Sequence, residues 1–298
     1  MTPWRILYRG SLSSCNYDCS YCPFAKTTNT VEQLAKDRKE LERFVDWVSQ
    51  QKRQIGILFT PWGEALGHPA YRQALVRLSS MPHINRVSIQ TNLSATLNDL
   101  SAANRNTLAL WSTFHPTQTS VEEFLKRCAV LELMGIRYSV GVVGLREHFP
   151  AIEVLRNRLP AEVYVWVNAF KTIPDYYQPG EVDYLARIDP YFRWNLYRYP
   201  SLGGDCRTGD QVFSVDGAGE VRRCHFVPAR IGNIYDDDFE DCLRPRPCPV
   251  ATCGCHIGYV HRPLLDLGRL FGGGLLERIP DRWPQIEPAF VNGPALVD

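Results

Sequence analysis

The sequence predicts an α/β protein: a parallel sheet curled into an open sheet or a partial (β/α)6 barrel, then a small Cys-rich β-hairpin/helix domain. Three observations carry this. Short β-branched or aromatic runs alternate with helical stretches up to about residue 170, which implies crossover connections between parallel strands. Such connections are right-handed, so six successive units curl the sheet one way. Cysteines are nearly absent from the middle of the chain and cluster at its two ends. The expected divisions are a core over 1–170, a connecting segment over 171–202, a Cys-rich domain over 203–262 and a tail over 263–298 that drapes over the surface.

The six strand runs are "WRILYRGSL", "RQIGILFT", "INRVSIQT", "TLALWSTF", "IRYSVGVVG" and "EVYVWVNAF". Between them "VEQLAKDRKELERFVDWVSQQ", "PAYRQALVRLSSM", "LNDLSAANR", "SVEEFLKRCAVLELMG" and "FPAIEVLRNRL" have apolar residues at helical spacing. The segment from 170 to 205, rich in Tyr, Pro and Trp, reads as packing between the two parts. Beyond Gly203, "CRTGDQVFSVDGAGEVRRC" reads as a hairpin turning at "DGAG", with Cys206 and Cys224 at its ends. "GNIYDDDFEDCL" follows as a turn and a short helix, whose acidic residues suit a first turn.

Composition narrows the function. A formal net charge of +1 offers no electrostatic footprint for nucleic acid or an anionic membrane. No stretch approaches the roughly 18 apolar residues of a membrane span, and the start of the chain has no signal-peptide core. The expectation is a cytoplasmic protein with no membrane partner. Its ten cysteines are then expected as thiols rather than disulfides. Cys128 stands alone on a helical pattern and reads as core.

In the parallel architecture, the loops that follow the strands meet at one rim and carry the chemistry. "SLSSCNYDCSYCPFAK" follows the first strand, "TPWGEAL" the second and "TNLS" the third. Cys15, Cys19 and Cys22 have the spacing CxxxCxxC, and thiolates so spaced converge on one centre when the backbone loops around it, as in iron–sulfur sites. A closed zinc site needs a fourth ligand. The next candidate along the chain, His68, lies more than forty residues away.

CxxxCxxC in the first loop, with Tyr21 before its last cysteine, resembles the radical S-adenosylmethionine superfamily, and "TPWGEA" resembles that superfamily's glycine–glycine–glutamate loop with Trp62 in place of the first glycine. The resemblance implies a TIM-like partial barrel and a [4Fe–4S] cluster on Cys15, Cys19 and Cys22, its fourth iron chelated by S-adenosylmethionine. It implies that Tyr21 faces the adenine, that Gly63 and Glu64 bind the methionine amino group, and that Asn92, Ser94, Ser112 and Asn168 make further cofactor contacts. "VGVVG" (140–144) resembles the segment that packs against adenine. The implied reaction is reductive cleavage to a 5′-deoxyadenosyl radical, which takes a hydrogen atom from a peptide or small-molecule substrate. The electron comes from a donor such as flavodoxin or ferredoxin. No residue of the sequence is singled out as a catalytic acid, base or hydrogen donor.

The second cysteine group resembles the Twitch or SPASM domains of that superfamily, which hold auxiliary [4Fe–4S] clusters. Cys206, Cys224, Cys253 and Cys255 are the expected ligands, with Cys248 as rival and Cys242 also open. Such a cluster implies an electron acceptor for a net oxidation or cross-linking. Zinc on the same four thiols stays open on chemistry alone. Two other readings are a two-cluster electron-transfer protein and a zinc-stabilised interaction module.

Overall fold

A computed structural model describes residues 2–294. In chain order the regular elements are β1 (Trp4–Gly10), α1 (Val31–Ser49), β2 (Ile55–Phe59), α2 (Pro69–Ser79), β3 (Ile84–Thr91), β4 (Leu108–Thr113), α3 (Val121–Met134), β5 (Arg137–Val143), α4 (Phe149–Arg158) and β6 (Tyr164–Asn168). Then come α5 (Pro179–Ile188), α6 (Phe192–Asn195), β7 (Tyr199–Pro200), β8 (Val212–Asp216), β9 (Glu220–Arg222), β10 (Arg230–Asn233), β11 (Thr252–Cys253), α7 (His256–Tyr259) and α8 (Leu267–Phe271). Strands β1 to β6 lie side by side in sequence order, all parallel.

The sheet continues past its first strand. β8 pairs in parallel with β1, Arg5 opposite Val212 and Ile6 opposite Phe213. β9 and β10 then extend the edge antiparallel. The hairpin at "DGAG" forms as expected, because Asp216 Oδ1 accepts from the backbone N–H groups of Ala218 and Glu220 and Gly219 takes φ +83°. The hairpin of the Cys-rich segment is therefore built onto the same nine-stranded sheet as the core, whereas β11 pairs with β7 in a separate two-stranded sheet.

Side chains alternate across the sheet. Ile6 and Tyr8, Ile57 and Phe59, Val87 and Ile89, Val140 and Val142, and Val165 and Val167 face the helices in one core. Leu7, Leu58, Trp111, Tyr164, Trp166 and Val212 face the other way. That second face is covered by the C-terminal segment: Leu265, Leu267, Leu270, Phe271, Leu275, Leu276, Ile279 and Phe290 are all buried against it. The expected surface tail is instead a core element. The reason is that a sheet face this apolar must be covered, and the apolar residues between the Pro and Gly of the tail supply the cover. Glu277 is fully buried there, paired with Arg86 (3.2 Å) and Arg137 (3.8 Å).

One expected helix differs. "LNDLSAANR" makes only a 3₁₀ turn over Asn98–Ala102. Its apolar positions are too few to bury a helical face, and the backbone turns into β4 after Asn104, whose N–H bonds Ser79 Oγ. "FEDC" (Phe239–Cys242) is likewise 3₁₀.

Candidate active site at the carboxyl rim of the sheet

The three cysteines lie in the loop between β1 and α1, which is pinned to the loop after β2. Trp62 N–H bonds Leu12 O (3.2 Å) and Glu64 N–H bonds Ser14 O (3.0 Å). From the other side Asn29 Oδ1 accepts from the N–H groups of Ser13 and Ser14, both at 2.8 Å. Gly63 makes this approach possible, since a Cβ there would overlap the backbone carbonyl of Ser14. Its structural role is the contact of two protein loops, a demand that "WGEA" does not reveal by itself.

A cavity of about 410 Å³ opens beside this loop. Cys15, Cys22, Tyr21, Gly63, Glu64, Asn92 and Asn168 all line it, together with Val143 of the "VGVVG" segment. Asn92 Nδ2 donates to Asn16 Oδ1 (3.0 Å) and approaches Cys15 Sγ (3.7 Å). Ser94 stands behind, accepting from Asn16 Nδ2 at 3.0 Å. Ser112 does not reach the cavity. Alternation along β4 sends Trp111 and Thr113 to the cavity side, while Ser112 is buried on the helix side with Leu110 and its hydroxyl has no partner among the described residues.

Glu64 is held in place. Its carboxylate accepts from Thr91 Oγ1 (2.7 Å) and Asn92 N–H (2.6 Å). Burial nonetheless pushes its pKa up to about 7, against these hydrogen bonds, which lower it. The folded chain thus holds this proton more tightly than the unfolded chain does. Its stabilising contribution is complete below the ordinary value of 4.5 and is lost as the pH rises toward 7. The stability of the wild-type apo-protein relative to the Glu64→Gln variant should therefore fall between pH 5 and pH 8, as read by urea melts at each pH. A flat difference would refute the raised value.

Two histidines not singled out by the sequence reading complete the rim. His115, just after β4, stacks on Tyr21 (centroids 5.9 Å apart, planes 14° apart), and its Nδ1 lies 3.0 Å from Tyr21 Oη and 3.4 Å from Cys19 Sγ. His148 meets Tyr21 edge-on at 5.2 Å. Burial, with His148 nearby, brings the pKa of His115 down to about 4, so it is neutral at pH 7. The signal that would have found His115 is its place at a strand end in "TLALWSTFHP". Trp166 and Arg278 also line the cavity, Trp166 from inside β6 and Arg278 from the C-terminal segment.

A second cavity of about 460 Å³ lies next to the first and is lined by Cys206, Cys224, Cys248, Cys253 and Cys255. Cys242 is elsewhere, against Gly232 in the hairpin edge. Cys255 borders both cavities, as do Asn168 and Lys171. Burial raises Cys253 to about 12, reinforced by Cys224, Cys255, Cys206 and Cys248, and raises Cys224 with help from Cys206 and Cys248. Such a set holds its protons until a cation replaces them, which is how thiolate sites couple metal binding to proton release. Cys255 is exposed to the cavities; the protein mass around it raises its pKa, while Lys171, Arg278 and Arg9 oppose that shift. Lys171 is itself brought down to about 8 by burial. Among the described residues no three His, Cys, Asp or Glu side chains converge on a point able to hold a single metal ion; each cysteine group lines a space instead.

No protein-family model and no curated protein matches this chain. Solved structures do. Native anSMEcpe with bound AdoMet (S-adenosylmethionine) and Kp18Cys peptide aligns at TM-score 0.54 and 15% identity over 78% of each chain. The complex with Cp18Cys peptide aligns at 0.53 and 14%, over 81% of this chain and 82% of that one. Histidine-tagged anSMEcpe with bound AdoMet gives 0.51 and 16%, over 78% of each. This chain shares their fold. The two cysteine cavities described above are features of its own residues. Among the described residues no helix is long and apolar enough to cross a membrane.

Proposed function

We propose that this chain is a radical S-adenosylmethionine enzyme with an auxiliary iron–sulfur cluster. The observation that carries the reading is the meeting of Cys15 and Cys22 with Tyr21, Glu64, Asn92 and Asn168 around one cavity at the strand ends, beside Cys19 in the same short loop. The shared fold with AdoMet-bound anSMEcpe supports it. The donor set fits the cofactor: three thiols on one loop, no fourth ligand adjacent in sequence, and an open cavity on the remaining side. When bound, the cluster and S-adenosylmethionine supply the reductive cleavage that yields a 5′-deoxyadenosyl radical able to take a hydrogen atom from substrate.

The chain's own residues bind, orient and exclude water. Cys15, Cys19 and Cys22 would hold the first cluster. Glu64, pre-set by Thr91 and Asn92, would accept a hydrogen bond from the methionine amino group. Tyr21, braced by His115 and His148, would wall the adenosyl part, with Val143 and Asn168 on the far side. Trp111 and Trp166 give the floor broad aromatic faces, which help exclude water.

In the second cavity Cys206, Cys224, Cys248 and Cys253 would hold the auxiliary cluster. We place Cys248 where Cys255 was expected, because Cys248 lines only the second cavity whereas Cys255 also faces the first. Four protein ligands suit electron acceptance and hence a net oxidation or cross-linking of a peptide or small-molecule substrate. A cavity spread over several thiols suits a cluster, in which each iron takes one of them, better than a lone zinc ion.

Anaerobic reconstitution tests this directly. The expected result is about eight irons per chain, with 5′-deoxyadenosine formed under dithionite. Zinc in place of iron, or two clusters with no cleavage of S-adenosylmethionine, would overturn the reading.

A further inference from the structure

Arg278 is only 3% exposed and, among the described residues, its side chain makes no hydrogen bond and no ion pair; its Nε is a buried orphan. Its guanidinium lies over Trp166, 4.2 Å from the ring centroid, and 5.7 Å from that of Trp111. All three line the first cavity. The adjacent residue, Glu277, is turned the other way to Arg86 and Arg137. Asp189, a buried acid whose charge reaches Arg278, hydrogen-bonds instead to Tyr164 Oη (2.6 Å) and to the N–H groups of Val167 (2.9 Å) and Tyr191 (3.0 Å). His256 Nε2, on the same wall, is also buried without a partner among the described residues.

A buried cation with no hydrogen-bonded partner is unfavourable, and the charge of Asp189 and two aromatic faces offset only part of that cost. The C-terminal segment accepts this cost at a residue held at φ +56°, a backbone region that non-glycine residues seldom occupy. An arrangement of this kind is complete when an anion enters from the cavity. A guanidinium presents a planar fork that suits the paired oxygens of a carboxylate or phosphate.

We propose that Arg278 is a specificity residue that receives an anionic oxygen group, a carboxylate or phosphoryl, carried by the substrate. The inference rests on the reading of the first cavity as the substrate site. Lys171, whose ammonium is held by Asn195 O and Oδ1 at 2.7 and 3.0 Å and by Gly254 O, supplies a second positive charge, though no free donor, on the same wall. Substrates with the charged group removed should bind poorly, because the site's buried donors are then left unpaired.

The test uses the cluster-reconstituted protein saturated with S-adenosylmethionine, so that the charges of both are already in place. Intrinsic tryptophan fluorescence is followed during titration with acetate, inorganic phosphate and neutral acetamide at constant ionic strength. The expected result is a saturable change with acetate or phosphate and none with acetamide. The tighter of the two anions tells which group the substrate carries. Arg278→Gln should weaken anion binding at least about tenfold, and Arg278→Lys should keep the preference for anions over acetamide. Equal responses to acetate and acetamide would overturn the proposal. So would unchanged binding in Arg278→Gln, or anion binding that vanishes once S-adenosylmethionine is bound, which would assign Arg278 to the cofactor's own carboxylate. If Arg278→Gln fails to fold by circular dichroism, loss of anion preference in Arg278→Lys is the overturning result. Cleavage of S-adenosylmethionine is measured on the same samples. Its absence would count against the proposed function, whereas anion binding that depends on Arg278 can be read whether or not cleavage occurs.

Discussion

Replacing Cys15, Cys19 and Cys22 together with Ala is expected to remove about half of the bound iron and all cleavage of S-adenosylmethionine. Iron in the second cavity should remain, since Cys206, Cys224, Cys248 and Cys253 lie on other elements and line a separate space. The fold should persist as well. Cys15 and Cys22 are only partly buried and Cys19, though buried, loses only its sulfur, while the backbone bonds at Leu12 and Ser14 and the Asn29 side chain still anchor the loop. Iron analysis, the visible absorption of the remaining cluster and chromatography of 5′-deoxyadenosine check the three parts separately. Cleavage that survives in the triple variant would show that the cofactor binds elsewhere.

Phe271→Ala is expected to destabilise the chain by about 3–5 kcal/mol, the usual range for deleting a buried aromatic side chain. Phe271 is 3% exposed and meets His256 edge-on at 5.0 Å, in the layer between the sheet and the C-terminal segment. A residue on a tail that merely lay on the surface would change stability by no more than about 0.5 kcal/mol. Urea unfolding of the apo-protein, read at an unchanged slope, distinguishes the two. The same variant loosens the wall that holds His256 and Arg278, so anion binding at Arg278 should weaken with it. A loss near zero would mean that the C-terminal segment is not part of the core.

Much of the site was legible locally. The CxxxCxxC spacing places three thiols on one short loop whatever the rest of the chain does, and strand–helix alternation alone brings the loops after β1, β2 and β3 to one rim. The loops that carry Glu64 and Asn92 are placed by the same alternation, while the two residues themselves are marked only by the resemblance of those loops to the superfamily's. Ser112 was misplaced by a single step of strand alternation, since a shift of one residue exchanges the two faces of a sheet. His115 is marked locally only by its place just after a strand, and nothing in the local sequence marks Arg278. Each matters through a neighbour far along the chain, Tyr21 and Cys19 for the histidine, Trp111 and Trp166 for the arginine.

Short-range patterns suffice for the parallel α/β core, the first cysteine loop and the hairpin at "DGAG". Hydrophobic period, turn residues and ligand spacing act within a few positions, so each of these can be read along the chain. The pairing of β8 with β1, the cover that the segment after Pro263 gives the inner sheet face, and the sorting of cysteines between cavities emerge only when the chain is folded. These depend on contacts between residues distant in the chain, where no local periodicity operates. Burial of a common apolar surface selects them, and in doing so it sets a lone arginine on the cavity floor.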